Sequence, residues 1–202
     1  MVGTHRKHHA YTDIKGDPHS PVLDGFWHAH CGWYINQKNP TICLLYAISG
    51  PVRMLIDGFW RPRHNQENNY LAKDLQANVF CRSLSNPHVY GPILWLYLLL
   101  LLLISTYLFS WTFGILYLWV ALIVIYNTGD AVNSIGHRDG ANQHKQNQAR
   151  DNWFLAFVSL GEGYHAKHHE SPEQIDMSPW KIGLSKIMVF LLKIMGLAKR
   201  KS

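Results

Sequence analysis

Residues 92–126 read PILWLYLLLLLLISTYLFSWTFGILYLWVALIVIY. No Asp, Glu, Lys or Arg occurs between Arg82 and Asp130. As one helix this run would extend about 52 Å at roughly 1.5 Å per residue. The hydrocarbon core of a bilayer is only about 30 Å thick, so one span is too long and two short spans fit. The polar dip at Ser105-Thr106 and the segment Ser110-Trp111-Thr112-Phe113-Gly114 supply the turn, which predicts helices over roughly 89–108 and 112–131. Trp95, Tyr97, Tyr107, Trp111, Tyr117 and Trp119 suit the aromatic belts found at membrane interfaces. A buried hairpin in a soluble protein would carry a polar stripe, and this run has none.

A hairpin returns the chain to the side it left. All 19 Lys and Arg lie outside the apolar run and the turn holds none, so the positive-inside rule places both termini in the cytoplasm. The expected fold is an all-α membrane protein: one transmembrane helical hairpin carrying a cytoplasmic, helical, histidine-rich domain. Three regions follow, residues 1–91, the hairpin at 92–131, and 132–202.

The flanking regions are polar and turn-rich. Asp17-Pro18-His19-Ser20-Pro21 reads as a turn, and RPRHNQENN (61–69) as a polar stretch. Leu44 to Ile56 is moderately apolar, but Gly50-Pro51 interrupts it and it is too short for a span. Past the hairpin, His137 to Asn152 reads as a polar loop and Asn152 to Leu160 as a helix leading into Gly161-Glu162-Gly163. In the tail, Ser178 suits an N-cap, Pro179 the first helical position and Gly196 the end. Lys181, Lys186 and Lys193 alternate there with Ile182, Ile187, Met188, Leu191, Ile194 and Met195. Such a helix lies in a lipid interface or packs on the protein's own core.

Histidine is over-represented, at 13 residues, and two runs share one pattern. His5-Arg6-Lys7-His8-His9 and His165-Ala166-Lys167-His168-His169 are both HxxHH. Positions i, i+3 and i+4 share a helix face, so each run is expected to aim three imidazoles at one point. Neutral imidazole is a common ligand of iron, zinc and copper. A further candidate segment, Asn133-Ser134-Ile135-Gly136-His137, sits just past the second predicted span. The hairpin topology puts both runs on one side of the membrane, where six histidines provide ligands for more than one ion. Histidines gathered without a metal would repel one another in mild acid. Seven histidines exceed what one structural zinc takes, and the Glu-x-x-His pattern of soluble di-iron bundles is missing. This leaves an all-imidazole two-metal site, with iron the redox-active candidate.

Other classes recede. The formal charge of +6 suits anionic lipid or an acidic partner as well as nucleic acid. The basic residues form no block, and no nucleic-acid-binding motif is present. Cys31, Cys43 and Cys81 show no CxxC spacing and read as small buried residues in reducing surroundings. The polar, histidine-rich start shows no apolar signal segment.

The motifs HRKHHAYTD (5–13), GDPHSP (16–21), GFWHAHCGW (25–33), NSIGH (133–137) and GEGYHAKHHESP (161–172), with the closing WKIGLSKIMVFLLKIMGLA (180–198), resemble the integral-membrane fatty acid desaturases, in particular the stearoyl-CoA and bacterial acyl-lipid group. The likeness runs through nearly the whole chain. It implies that His5, His8, His9, His137, His165, His168 and His169 are ligands of two iron ions, and that Asn133 holds one iron through a water. It implies an O2-dependent reaction that removes hydrogens from two adjacent methylenes of a fatty acyl-CoA or acyl-lipid and leaves a cis double bond. The two electrons required would come from an external b-type cytochrome or ferredoxin. The absence of a GxGxxG fingerprint and of CxxCH agrees with an external donor.

The sequence departs from the family pattern in two ways. An HxxxxH box and two further transmembrane helices normally precede the second histidine box, whereas this sequence starts four residues before HRKHH. The expectation is therefore an N-terminally truncated form that binds iron weakly or is inactive in isolation. Of the histidines available to replace the missing ligands, His19 and His30 resemble family residues with other roles, and His28 is the freer candidate. Ser171 stands where the family has Phe, and Ala166 where it has Asn. The alternatives are a histidine-box hydroxylase or alkane mono-oxygenase, and a non-catalytic metal-binding membrane fragment.

Overall fold

The computed structural model describes residues 2–66, 68–142, 148–174, 177 and 184–196. Among them there is no strand, only isolated bridges pairing Asp151 with Ala141 and with Tyr164. The helices are α1 (Val2–Tyr11), α2 (Pro21–Asp24), α3 (Phe26–His30), α4 (Pro40–Ile48), α5 (Pro51–Gln66), α6 (Lys73–Ala77), α7 (Val79–Leu84), α8 (Pro87–Phe109), α9 (Trp111–Ser134), α10 (Trp153–Val158), α11 (His165–Glu170) and α12 (Leu184–Ile194). The chain divides into two compact units, Met1–Asp130 and Ala131–Ser202.

Among the described residues two helices are long and apolar enough to cross a membrane, over His88–Phe109 and Trp111–His137. Each reaches past its predicted limits for a local reason. The side chain of Asn86 caps α8 by accepting from the His88 N–H, and Pro87, which lacks an N–H, occupies the first helical position. Ser105 and Thr106 remain helical, because their hydroxyls donate to the carbonyls of Leu102 and Leu103, each at 3.0 Å. The chain turns only at Ser110, whose φ is 81°. Most large apolar side chains of α8 and α9 face outward, Tyr107, Ile125 and Leu108 among them. Met54 of α5 packs with Leu118 and Leu122 of α9, against Leu94, Leu98, Leu101 and Leu102 of α8.

The interrupted stretch around Gly50-Pro51 forms two helices, bent by 105° where α4 meets α5. Taken together, Pro40–Ile48 and Pro51–Gly58 are long and apolar enough for a broken span or a re-entrant loop. A second cluster, of Cys31, Tyr34, Cys43, Tyr46 and Ala47, joins α4 to the turn after α3. Burial pushes the Cys31 thiol up to about 12, so it stays protonated. Cys81, unlike the other two cysteines, is only partly buried.

In the second unit, α10 starts one residue later than expected, after the Asn152 N-cap, and stops before Leu160, whose φ is 59°. Helix α12 exposes Ile187, Met188, Leu191 and Ile194, and Gly196 follows it with φ 70°. Ser178, Pro179, Lys181 and Ile182 lie outside the described residues.

Candidate metal centre

In the first unit, α1 presents His5, His8 and His9. The Nε2 atoms of His5 and His9 are 3.1 Å apart. The His8 ring stands off, with centroids 6.3 Å from His5 and 5.8 Å from His9. His8 instead faces Asp17: its Nδ1 lies 2.9 and 3.0 Å from the two carboxylate oxygens. Asp17 is itself held, accepting from the Asp13 N–H at 2.8 Å and from the His19 N–H at 3.0 Å. A carboxylate there fixes the proton of neutral His8 on Nδ1 and leaves Nε2 as the atom able to ligate. The His19 ring packs 4.3 Å from that of His8.

In the second unit, the three-residue turn Ile135–His137 carries His137 directly beyond α9. His137 Nε2 lies 2.9 Å from His165 Nε2, and His169 Nε2 lies 3.2 Å from the same atom. Ligand atoms of the three are all within 4.8 Å of one another. The His168 ring is separate, with centroids 5.8 Å from His165 and 5.9 Å from His169. Burial holds His168 below its ordinary value, towards the neutral form that binds metal. Asn133 is half-buried in the last turn of α9.

Bonds made to the backbone aim this second set. Asp151 accepts from the N–H groups of Ala166 and Lys167, at 2.9 and 3.4 Å, and so caps the start of α11. The Arg150 N–H donates to the Gly136 carbonyl at 2.7 Å. Gly136 has a steric reason to be glycine: a Cβ there would sit 3.1 Å from Cδ2 of His165.

Each HxxHH therefore splits into an i, i+4 pair and a separate i+3 imidazole, where the spacing predicted one common point. The pair distances suit metal binding. Two nitrogens each roughly 2.1 Å from one ion, at about a right angle, are about 3 Å apart, and the closest Nε2 pairs fall at 2.9, 3.1 and 3.2 Å. An all-imidazole donor set suits iron, zinc, copper or nickel.

The substitute ligands fare differently. His28, the freer candidate, has Nδ1 3.0 Å from the Gln37 carbonyl and Nε2 3.4 Å from that of Pro18. His30 Nε2 bonds Asn127 Oδ1 at 3.0 Å. Sequence reasoning gave no role to Asp17 or Asp151. Asp17 lay within the quoted GDPHSP, but nothing in that run shows its side chain turned towards His8.

Comparison with known families matches residues 1–183 to the one described as fatty acid desaturase. The chain is 33% identical over 201 residues to an acyl-CoA C20 Δ5-desaturase of Anemone leveillei, covering 98% of this chain and 55% of that protein. It is 30% identical over 201 residues to the sn-1 stearoyl-lipid 9-desaturase of Synechocystis, covering 98% and 54%. Against acyl-CoA desaturase 1 of Saccharomyces cerevisiae it is 28% identical over 200 residues, covering 96% and 34%. The chain spans about half the length of the first two relatives and a third of the yeast protein.

Proposed function

Because the chain belongs to the fatty acid desaturase family, we propose that it serves as an O2-dependent, di-iron acyl desaturase that places a cis double bond in a fatty acyl-CoA or acyl-lipid. The observation that carries this reading is the recurrence of one arrangement: close Nε2 pairs at metal-ligand spacing, each beside a further imidazole. His5, His8, His9, His137, His165, His168 and His169 hold the two irons, and Asn133 contributes through a water. When bound, the iron pair supplies the dioxygen chemistry needed to break unreactive C–H bonds.

The protein residues do the positioning. Asp17 keeps His8 in one tautomer, and Asp151 sets the start of α11, so the ligand nitrogens are oriented before metal arrives. The overall change balances: the acyl chain gives up two hydrogens, O2 becomes two waters, and an external cytochrome b-type protein or ferredoxin supplies two electrons, with two protons from solvent. The acyl chain needs an apolar path that holds its methylenes in reach. Both termini and the histidine boxes face the cytoplasm in this reading, by the charge asymmetry around the hairpin. The outward apolar row of α12, with Lys186 and Lys193, supports a place for that helix on the lipid surface.

The test is expression in a desaturase-deficient host, both of the chain by itself and of the chain joined to any reading frame found upstream of it. Fatty-acid profiles are read by gas chromatography, and iron is measured on the purified protein. Two irons and a new cis-alkene are expected from the longer form, and weaker iron binding from the chain alone. Zinc or no metal, with an unchanged profile, in both forms would remove the catalytic reading, and an alcohol product would turn it into a hydroxylase.

A further inference from the structure

Helices α4 and α5 are built inside out. Their outward residues are apolar: Ile42, Leu45, Ile48, Val52 and Leu55 are 40 to 61% exposed. Their inward residues include charged groups, since Arg53 and Asp57 are 0 and 1% exposed. A helix at a water-facing surface has the opposite pattern. Polar groups turned inward with apolar groups turned outward are what lipid surroundings select.

The inward charges are matched within the same unit. Arg53 Nη1 and Nη2 donate to the carboxylate of Asp130, at the foot of α9, at 2.6 and 3.1 Å. Tyr46 donates its hydroxyl to Asp57. The rings of Tyr46 and Tyr126 cover the guanidinium, with centroids 4.6 and 4.3 Å away.

The bend itself meets a stricter requirement. Where α4 stops, its last carbonyls lose their helical donors. In hydrocarbon such groups need a partner from the protein. Two side chains of α9 provide one: Asn127 Nδ2 donates to the Ala47 carbonyl at 2.9 Å, and Trp119 Nε1 to that of Ile48 at 3.1 Å. Gly50 takes φ 53° against the Trp119 ring. Trp119 lies mid-way along the apolar run of α9, about 16 Å from Asp130 at roughly 1.5 Å per residue. The way back is marked as well, because Gly58 of α5 meets Trp95 and Gly91 near the start of α8.

From this placement we infer that α4 and α5 form a re-entrant membrane hairpin. The pair enters beside the end of α9, bends between the depths of Asn127 and Trp119, and leaves beside the start of α8. Leu45, Ile48 and Val52 face lipid acyl chains, and Arg53 and Asp57 face inward. The inference rests on α8 and α9 crossing the bilayer and is independent of the desaturase chemistry.

The test is nitroxide labelling in reconstituted vesicles of zwitterionic phosphatidylcholine, in a Cys81→Ser background. Cys31 and Cys43 are 0% exposed and stay unlabelled. Labels go at Leu45→Cys, Ile48→Cys and Val52→Cys, with Leu100→Cys on α8 and Ile14→Cys in the polar turn after α1 as references. The expected result is that Ile48 and Val52 collide with O2 and are shielded from a water-soluble nickel chelate, as Leu100 is. Nickel access matching that of Ile14 would overturn the inference. Shielding from both reagents would overturn it too, by showing a protein cover such as a second copy. Nickel reaching Leu100 would defeat the span and the hairpin together. The unmodified chain gives a second readout with a diazirine-bearing phospholipid: adducts are expected within residues 42–55 as well as in α8 and α9, and their absence from 42–55 counts against the hairpin.

Discussion

The two HxxHH runs carry the same spacing and are held in different ways. In α1 a carboxylate does the work: Asp17 grips His8 through both oxygens and is itself held by two backbone N–H groups. In α11 bonds made to the backbone do it. Asp151 caps the helix, Arg150 ties to Gly136, and the His165 ring lies on a residue without a side chain. One motif thus acquires its direction from a carboxylate bonded to the imidazole in one unit and from bonds made to the backbone in the other. A motif fixes which atoms are available, and the surrounding segment fixes where they point.

The largest effects are expected where the two runs are equivalent. His8→Ala and His165→Ala should each reduce bound iron and eliminate alkene formation, as measured by metal content and gas chromatography. If only one of them mattered, the two boxes would not serve a common reaction.

The next experiment separates them. Asp17→Asn should weaken iron binding by about 10–100-fold, since the new amide sets a donor against the N–H of Asp13 or His19. Asp151→Ala removes a cap worth about 1 kcal/mol to a helix and should weaken iron binding only several-fold. Iron titration of both variants decides, and the reverse order would mean that the carboxylate is not what directs His8. Gly136→Ala should be milder still, because the His165 ring need only give by a few tenths of an ångström. A two- to threefold loss of iron affinity is expected, with folding intact by circular dichroism.

Much of this was legible in the sequence. The hairpin was, because a charge-free run from Pro92 to Tyr126 has few ways to exist in water. Its ends were legible only to within a few residues, since the predicted limits 89–108 and 112–131 miss the start of α8 that Asn86 caps and the last residues of α9, up to Ser134. The histidines were legible because their spacing is local. Asp17 and Asp151 were not, because a carboxylate's target depends on how the intervening chain turns, and Asp151 acts from 15 residues away. Gly50-Pro51 reads as an interruption until Trp119 and Asn127, some 70 to 80 residues further on, are seen to bond the carbonyls it leaves behind. Arg53 and Asp130 are 77 residues apart, and no pattern in either neighbourhood pairs them.

The smallest predicted effect is a difference in acid response, and it sharpens the contrast between the boxes. Burial lowers the His168 value, so the unfolded chain takes up this proton first as pH falls below the ordinary value of about 6.5. Stability of the metal-free protein should therefore rise with pH up to that point and then level off as far as this residue is concerned. His168→Gln should flatten the slope in that window, read as melting temperature between pH 5.5 and 7.5 after chelation. The variant's effect should vanish above about pH 7, where His168 is neutral in both states. A slope that survives the substitution unchanged would assign the acid sensitivity elsewhere, and would leave α11 directed by bonds made to the backbone alone, without an additional bias of His168 towards its ligating form.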